Sequence, residues 1–192
     1  MKIGILAVQG DYQAHAQMLE SIGAGWKYIK SPADMDDIQG VILPGGESST
    51  QLQFLREEGL GEALRKFAAS GGAFFATCAG AILLAQRVRN PAQDSLGLAD
   101  FEVTRNAYGR QLASEVIEAP SQLGAAPLEM VFIRAPLIEK LGKDWKVLAE
   151  REGKPVLVRK GRMLVATFHP ELTSDPTVHK YFVSLVKNGT AT

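Results

Sequence analysis

Ile3 to Val8 is a continuous apolar run closed by Gln9-Gly10, and from Asp11 to Gly23 apolar residues return at helical spacing, at Tyr12, Ala16, Leu19 and Ile22. This predicts a buried strand, a turn and an amphipathic helix. Gly40 to Leu43 is a second apolar run, broken by Pro44-Gly45-Gly46, after which Ser48 and Gln51 stand in capping-box relation ahead of a helix running toward Glu58. Ala73 to Thr77 predicts a third strand and Ala81 to Val88 a third helix, with Cys78, Ala79 and Gly80 as the whole turn between them. Three strand-helix units with fully apolar strands predict an α/β fold: a mostly parallel central sheet with helices on both faces, in three layers. The second half differs. Phe101 to Arg105, Ser114 to Glu118 and Met130 to Arg134 read as strands without long helices between them, and Val156 to Val158 pairs with Met163 to Phe168 across Lys160-Gly161-Arg162. Antiparallel additions to the sheet are expected there. Asp175 as N-cap, Pro176 at the first helical position and Gly189 past the end frame a last helix through Val186. A single domain over 1–189 accounts for this, with Thr190 to Thr192 fraying.

Charge and composition narrow the function classes. Lys plus Arg and Asp plus Glu both number 21, a net charge of zero, so the basic footprint of a nucleic-acid binder is missing. At 46% hydrophobic and 22% charged residues, the chain is built to bury a core. The apolar stretch Ala73 to Ala85 contains Thr77 and Gly80 and falls short of the roughly 20 residues that cross a bilayer. One cysteine, Cys78, excludes an intrachain disulfide and a multi-cysteine zinc site, and the reading is a cytoplasmic protein.

Ligands in open α/β sheets bind beyond the carboxyl ends of the strands, which directs attention to the residues just after them. Cys78 follows its strand at once, flanked two positions away by Ala76 and Gly80. Small neighbours of this kind permit the tight strand-to-helix elbow from which a nucleophile projects, and a helix N-terminus favours a thiolate. A lone cysteine also serves as a small buried hydrophobe. His15 and His179 lie within helices, where exposed or half-buried structural roles are expected. His169 ends an apolar strand, and His169-Pro170-Glu171 places an imidazole and a carboxylate on the same side of extended chain, a pairing suited to a base held by its partner. A surface turn with an incidental His and Glu reads equally well, and a metal site on these two lacks a third ligand. Gly45-Gly46 can offer backbone N–H groups to an anion, though the segment is neither a Walker loop nor a dinucleotide fingerprint. Arg105 and Arg134, each at a strand end, can hold a carboxylate or lie solvated at the surface.

Taken together, the strand-end cysteine, the Gly-Gly segment and the His-x-Glu pair resemble the class I glutamine amidotransferases. The segments 7–11 (Ala-Val-Gln-Gly-Asp), 43–48 (Leu-Pro-Gly-Gly-Glu-Ser), 77–80 (Thr-Cys-Ala-Gly), 105–111 (Arg-Asn-Ala-Tyr-Gly-Arg-Gln), 132–136 (Phe-Ile-Arg-Ala-Pro) and 168–172 (Phe-His-Pro-Glu-Leu) are similar to the branch formed by the glutaminase subunits of pyridoxal 5′-phosphate synthases. Ala76 replaces a glycine common before the Thr-Cys pair in that branch, and 114–117 (Ser-Glu-Val-Ile) departs from its Ser-Phe-Glu.

The resemblance implies a Cys78-His169-Glu171 triad that hydrolyses L-glutamine through a thioester. It also implies an oxyanion hole from the N–H groups of Ala79 and Gly45-Gly46. Substrate binding would fall to Gly46, Glu47, Ser48, Arg105, Ile133 and Arg134, with a guanidinium on the α-carboxylate and Glu47 near the α-ammonium. No cofactor or metal is implied. The implied partner is a separate synthase subunit that receives ammonia in a hetero-oligomeric complex. Two other readings are a cysteine hydrolase of the same fold, such as a γ-glutamyl hydrolase, and a non-catalytic binding subunit. Gly45 and Gly46 lack Cβ atoms, so their peptide can rotate at little steric cost, and a glutaminase that is weak until its partner fixes that peptide is expected.

Overall fold

A computed structural model describes residues 1–105 and 114–189. Most of the 105–111 segment and the tail expected to fray, 190–192, therefore lie outside the described residues. The central sheet has seven strands in the order β10-β11-β12-β4-β3-β1-β2: β1 (Ile3–Leu6), β2 (Trp26–Ile29), β3 (Gly40–Leu43), β4 (Ala73–Thr77), β10 (Lys146–Arg151), β11 (Lys154–Lys160) and β12 (Met163–Ala166). The pairs among β2, β1, β3, β4 and β12 are parallel, whereas β11 and β10 continue the sheet antiparallel beyond β12. Burial on both sides of β1, β3 and β4 explains their uninterrupted apolar runs.

Alternation along each strand divides the interior into two cores. Ile3, Ile5, Ile42, Phe75 and Leu164 face α1 (Tyr12–Ser21) and α5 (Thr177–Asn188). Leu6, Val41, Leu43, Phe74 and Val165 face α2 (Ser48–Glu57), α3 (Leu60–Ala69) and α4 (Ala79–Leu84). The remaining strands lie outside the central sheet, and the first two of them pair parallel where antiparallel additions were expected. β5 (Ala85–Arg89), β6 (Ala99–Thr104) and β9 (Leu137–Leu141) make a separate sheet over the α2–α4 side, and β7 (Ser114–Ala119) pairs with β8 (Leu128–Ile133) over the α1/α5 side.

Several local expectations are corrected. The helix expected through Val88 ends at Leu84, because Ala85 turns to extended backbone and the next residues run as β5, where Arg89 reaches Glu102 of β6 at 2.8 Å. The capping box of Ser48 and Gln51 does not form. Glu47 is the N-cap of α2, its carboxylate accepting from Ser49 N–H, while Ser48 and Gln51 turn inward toward other partners. At α5 the helix begins one residue later than expected, yet Asp175 still accepts the Thr177 N–H at 2.9 Å. Strands β2, β9 and β10 and helix α3 have no counterpart in the sequence reading.

Candidate active site

The parallel strands deliver their carboxyl ends to one edge of the sheet. A cavity of about 370 Å³ opens there, lined among others by Asp11, Gly46, Glu47, Ser48, Cys78, Ala79, Arg105, Ile133, Arg134 and His169. Cys78 leaves β4 with φ 46° and ψ −102° and starts α4, a backbone conformation uncommon for a residue with a side chain. Its N–H is tied to Ala166 O at 2.9 Å. Gly80 makes the elbow possible, since a Cβ there would stand 2.1 Å from Leu43 O. Ala76, where the similar branch has glycine, is buried in the α2–α4 core.

His169 and Glu171 meet through a turn and not through extended chain. β12 ends at Ala166, and Pro170–Leu172 forms a short 3₁₀ turn that brings Glu171 Oε1 to 2.8 Å from His169 Nδ1. This leaves the other ring nitrogen for Cys78, which lines the same cavity. The His169 N–H donates to Val131 O at 2.8 Å, which pins β8 against the end of β12 and so carries Ile133 and Arg134 to the cavity. Ile133 O lies 3.8 Å from Cys78 Sγ.

Burial disfavours charge on His169, but the hydrogen bonds with Cys78 and Glu171 and their negative charge outweigh it and raise its pKa to about 10. Burial of Glu171 pushes its carboxyl upward, and the His169 hydrogen bond opposes this. A buried carboxylate of this kind needs donors to remain ionised.

The two glycines expected to act alike do different things. The Gly45 N–H donates to Thr77 Oγ1 at 3.0 Å and is not available to an anion, which corrects its place in the oxyanion hole. What Gly45 contributes is space, because a Cβ would lie 2.3 Å from the imidazole Cε1 of His169. Gly46, with φ 149°, has an N–H without an acceptor among the described residues, and so has Ala79 at the start of α4. Both line the cavity.

Glu47 and Arg105 do not stand apart as receptors for opposite ends of a ligand. Arg105 Nη2 lies 3.2 Å from Glu47 Oε1, and Arg105 Nη1 donates to Gln93 Oε1 at 2.6 Å. The same Gln93 oxygen accepts from Ser48 Oγ at 3.0 Å. Gln93 thus gathers two expected site residues, Ser48 and Arg105, and no motif around it signals this. The Arg134 guanidinium makes no hydrogen bond or ion pair among the described residues, and its backbone has φ 44°.

Two more residues were misplaced by the sequence reading. His15 and His179 are wholly buried and hydrogen-bonded to each other at 2.9 Å, and His15 reaches Thr77 Oγ1 at 3.1 Å. Helical spacing carried the signal: His15 falls three positions after Tyr12 on the apolar stripe of α1, and His179 three before Phe182 on that of α5. Asp11 supplies the third acidic or imidazole group near His169 and Glu171, with ligand atoms within 4.8 Å of one another. The direct 2.8 Å contact between His169 Nδ1 and Glu171 Oε1 leaves no space for an ion between them.

Comparisons agree with this layout. The family model of the SNO glutamine amidotransferase family matches residues 5–188. The pyridoxal 5′-phosphate synthase subunit PdxT of Koribacter versatilis is 51% identical, over 98% of this chain and 97% of that protein. The PdxT of Thermotoga maritima is 46% identical, over 97% of this chain and all of that protein. Among solved structures, a crystal structure of a glutamine amidotransferase superposes with a TM-score of 0.91 at 41% identity, covering 96% of this chain and 98% of that one. A chain in the structure of PurLQS from Thermotoga maritima shares the fold alone, with a TM-score of 0.69 at 14% identity, covering 95% of this chain and 97% of that one. A model that spans nearly the whole sequence, and relatives that match it end to end, leave one conclusion: the chain belongs to the SNO glutamine amidotransferase family.

Proposed function

We propose that the chain is the glutaminase subunit of a pyridoxal 5′-phosphate synthase, hydrolysing L-glutamine and passing ammonia to a separate synthase subunit. The observation that carries this reading is the strained Cys78 elbow facing a His169–Glu171 pair in one cavity, in a chain 51% identical to a PdxT subunit over nearly its full length.

Cys78 Sγ attacks the carboxamide carbon, and the N–H groups of Ala79 and Gly46 receive the negative charge that develops on its oxygen. His169, held as imidazolium, gives its proton to the departing ammonia, leaving a thioester on Cys78. It then takes a proton from the water that cleaves the thioester and releases glutamate. Glu171 orients the ring and offsets its charge. The uncommitted guanidinium of Arg134 is the group for the substrate α-carboxylate, and Glu47, anchored by Arg105, faces the α-ammonium. Ser48 and Ile133 complete the walls of the pocket. In this reading the protein works in a hetero-oligomeric complex in the cytoplasm.

The test is ammonia release from glutamine by the purified chain, alone and with the synthase subunit, together with pyridoxal 5′-phosphate formation by the pair. Ammonia from glutamine that supports cofactor synthesis is expected. No ammonia under either condition would overturn the assignment.

A further inference from the structure

Behind the cavity, five buried side chains form a connected polar path: His169 to Glu171, Thr77, His15 and His179. Thr77 Oγ1 lies 3.5 Å from Glu171 Oε1 and 3.1 Å from His15 Nε2, and it accepts the Gly45 N–H. His15 Nε2 is itself 3.5 Å from Glu171 Oε1. His15 Nδ1 lies 2.9 Å from His179 Nε2, and His179 Nδ1 is buried without a partner among the described residues. The ring of Phe75 packs against both imidazoles, with Phe182 stacked behind it, and among the described residues no further polar group bonds to either imidazole.

Counting protons selects one of two patterns. Burial lowers the pKa of both histidines, so each is neutral and carries one ring proton. If His15 donated to His179, then His179 Nδ1 would hold a buried N–H with nothing to donate to, an arrangement folded proteins rarely accept. His15 Nε2 would also be bare and take the Thr77 hydroxyl proton, leaving Glu171 Oε1 with His169 as its only side-chain donor. If His179 Nε2–H donates to His15, the unpartnered atom is a bare lone pair. His15 then presents Nε2–H to Thr77 and Glu171, and the Thr77 hydroxyl turns its proton to the carboxylate. Three side-chain donors then converge on a carboxylate that burial would otherwise neutralise.

We propose that His179 and His15 are positioning residues for Glu171: His179 fixes the tautomer of His15, whose Nε2–H, together with the Thr77 hydroxyl, holds the carboxylate ionised and aimed at His169. This rests on the triad reading above for its effect on rate, though the hydrogen-bond pattern stands apart from it.

The experiment therefore has two arms. In the first, ¹⁵N NMR of the wild-type full-length chain reads the ring tautomers of His15 and His179; both are expected to be protonated at Nε2, and a proton on Nδ1 of either would overturn the proposal. In the second, His15→Phe, His15→Gln and His179→Phe are assayed with the synthase subunit for kcat, KM and the pH profile of kcat/KM. His15→Phe should lose on the order of tenfold to a hundredfold in kcat with little change in KM, and its acid limb should move to higher pH, because a less supported Glu171 takes up a proton sooner. His15→Gln retains a donor and should recover most of the loss. His179→Phe keeps an aromatic ring against Phe75 and should show the same acid-limb shift in smaller measure. An acid limb unmoved in the folded variants would overturn the proposal, even where thermal melting shows them less stable. Wild-type chain that releases no ammonia would strike down the triad reading, while the tautomers would still decide the hydrogen-bond pattern.

Discussion

At Cys78 the backbone, the neighbouring residues and the chemistry all converge. Its φ of 46° is tolerated because Gly80 and the tie to Ala166 O hold the turn on both sides. Cys78→Ala should abolish glutamine hydrolysis while circular dichroism and melting remain close to wild type; substantial retained activity would remove Cys78 from its role. His169 keeps its proton to higher pH because Cys78 and Glu171 together outweigh the cost of burial. A raised pKa means that the imidazolium persists well above the ordinary histidine range and is lost only as pH climbs through about 10. The alkaline limb of kcat/KM should accordingly lie far above the ordinary histidine value of about 6.5, and a limb near that value would contradict the ion pair. Glu171→Gln should lower kcat with modest change in KM, because the carboxylate orients the ring and transfers no proton itself; a fully active variant would refute its role. Arg134→Ala should raise KM for glutamine about tenfold or more, the scale of one lost charge-assisted hydrogen bond. Unchanged kinetics would move the carboxylate to another group.

Helix α4 shows how an element converts local packing into a site. It is short, wholly buried and pressed against β3 through Gly80, so its N-terminal end cannot shift without moving Cys78. Gly80→Ala places a methyl on the carbonyl of Leu43, a backbone atom that cannot swing aside. A loss of about 1 to 3 kcal/mol in stability is expected, seen as a lowered denaturation midpoint, together with a fall in kcat as the elbow moves. A variant of wild-type stability and rate would show that β3 yields more readily than the packing suggests. The strand after α4 illustrates the opposite case. Ala81 to Val88 carries no period that separates helix from strand, and the change to extended backbone after Leu84 comes with pairing of Ala85–Arg89 against β6 and burial of Val88.

In the whole molecule, the fold ends in a cavity lined by Gly46, whose N–H is one of the two proposed oxyanion donors. The Gly45 carbonyl accepts the Asp11 N–H at 3.1 Å, so turning the Gly45-Gly46 peptide over would break that bond but meet no Cβ. The chain alone should release ammonia more slowly than the complex, on the order of a hundredfold if one donor is misaimed until the synthase subunit docks. Equal steady-state rates with and without that subunit would show both donors already set. What the sequence determined by itself was whatever local pattern encodes: the apolar parallel strands, the elbow around Cys78, and the His169-x-Glu171 spacing all follow from neighbours within a few residues. Tertiary structure decided the rest, because it depends on residues far apart in the chain. Nothing near Gln93 foretells that it would gather Ser48 and Arg105, and only the packing of β4 against α1 and α5 joins Thr77 to His15 and His179. Gly45 is the plainest case, for its sequence suggested a donor, while the fold engages its N–H with Thr77 and uses its missing Cβ to seat His169.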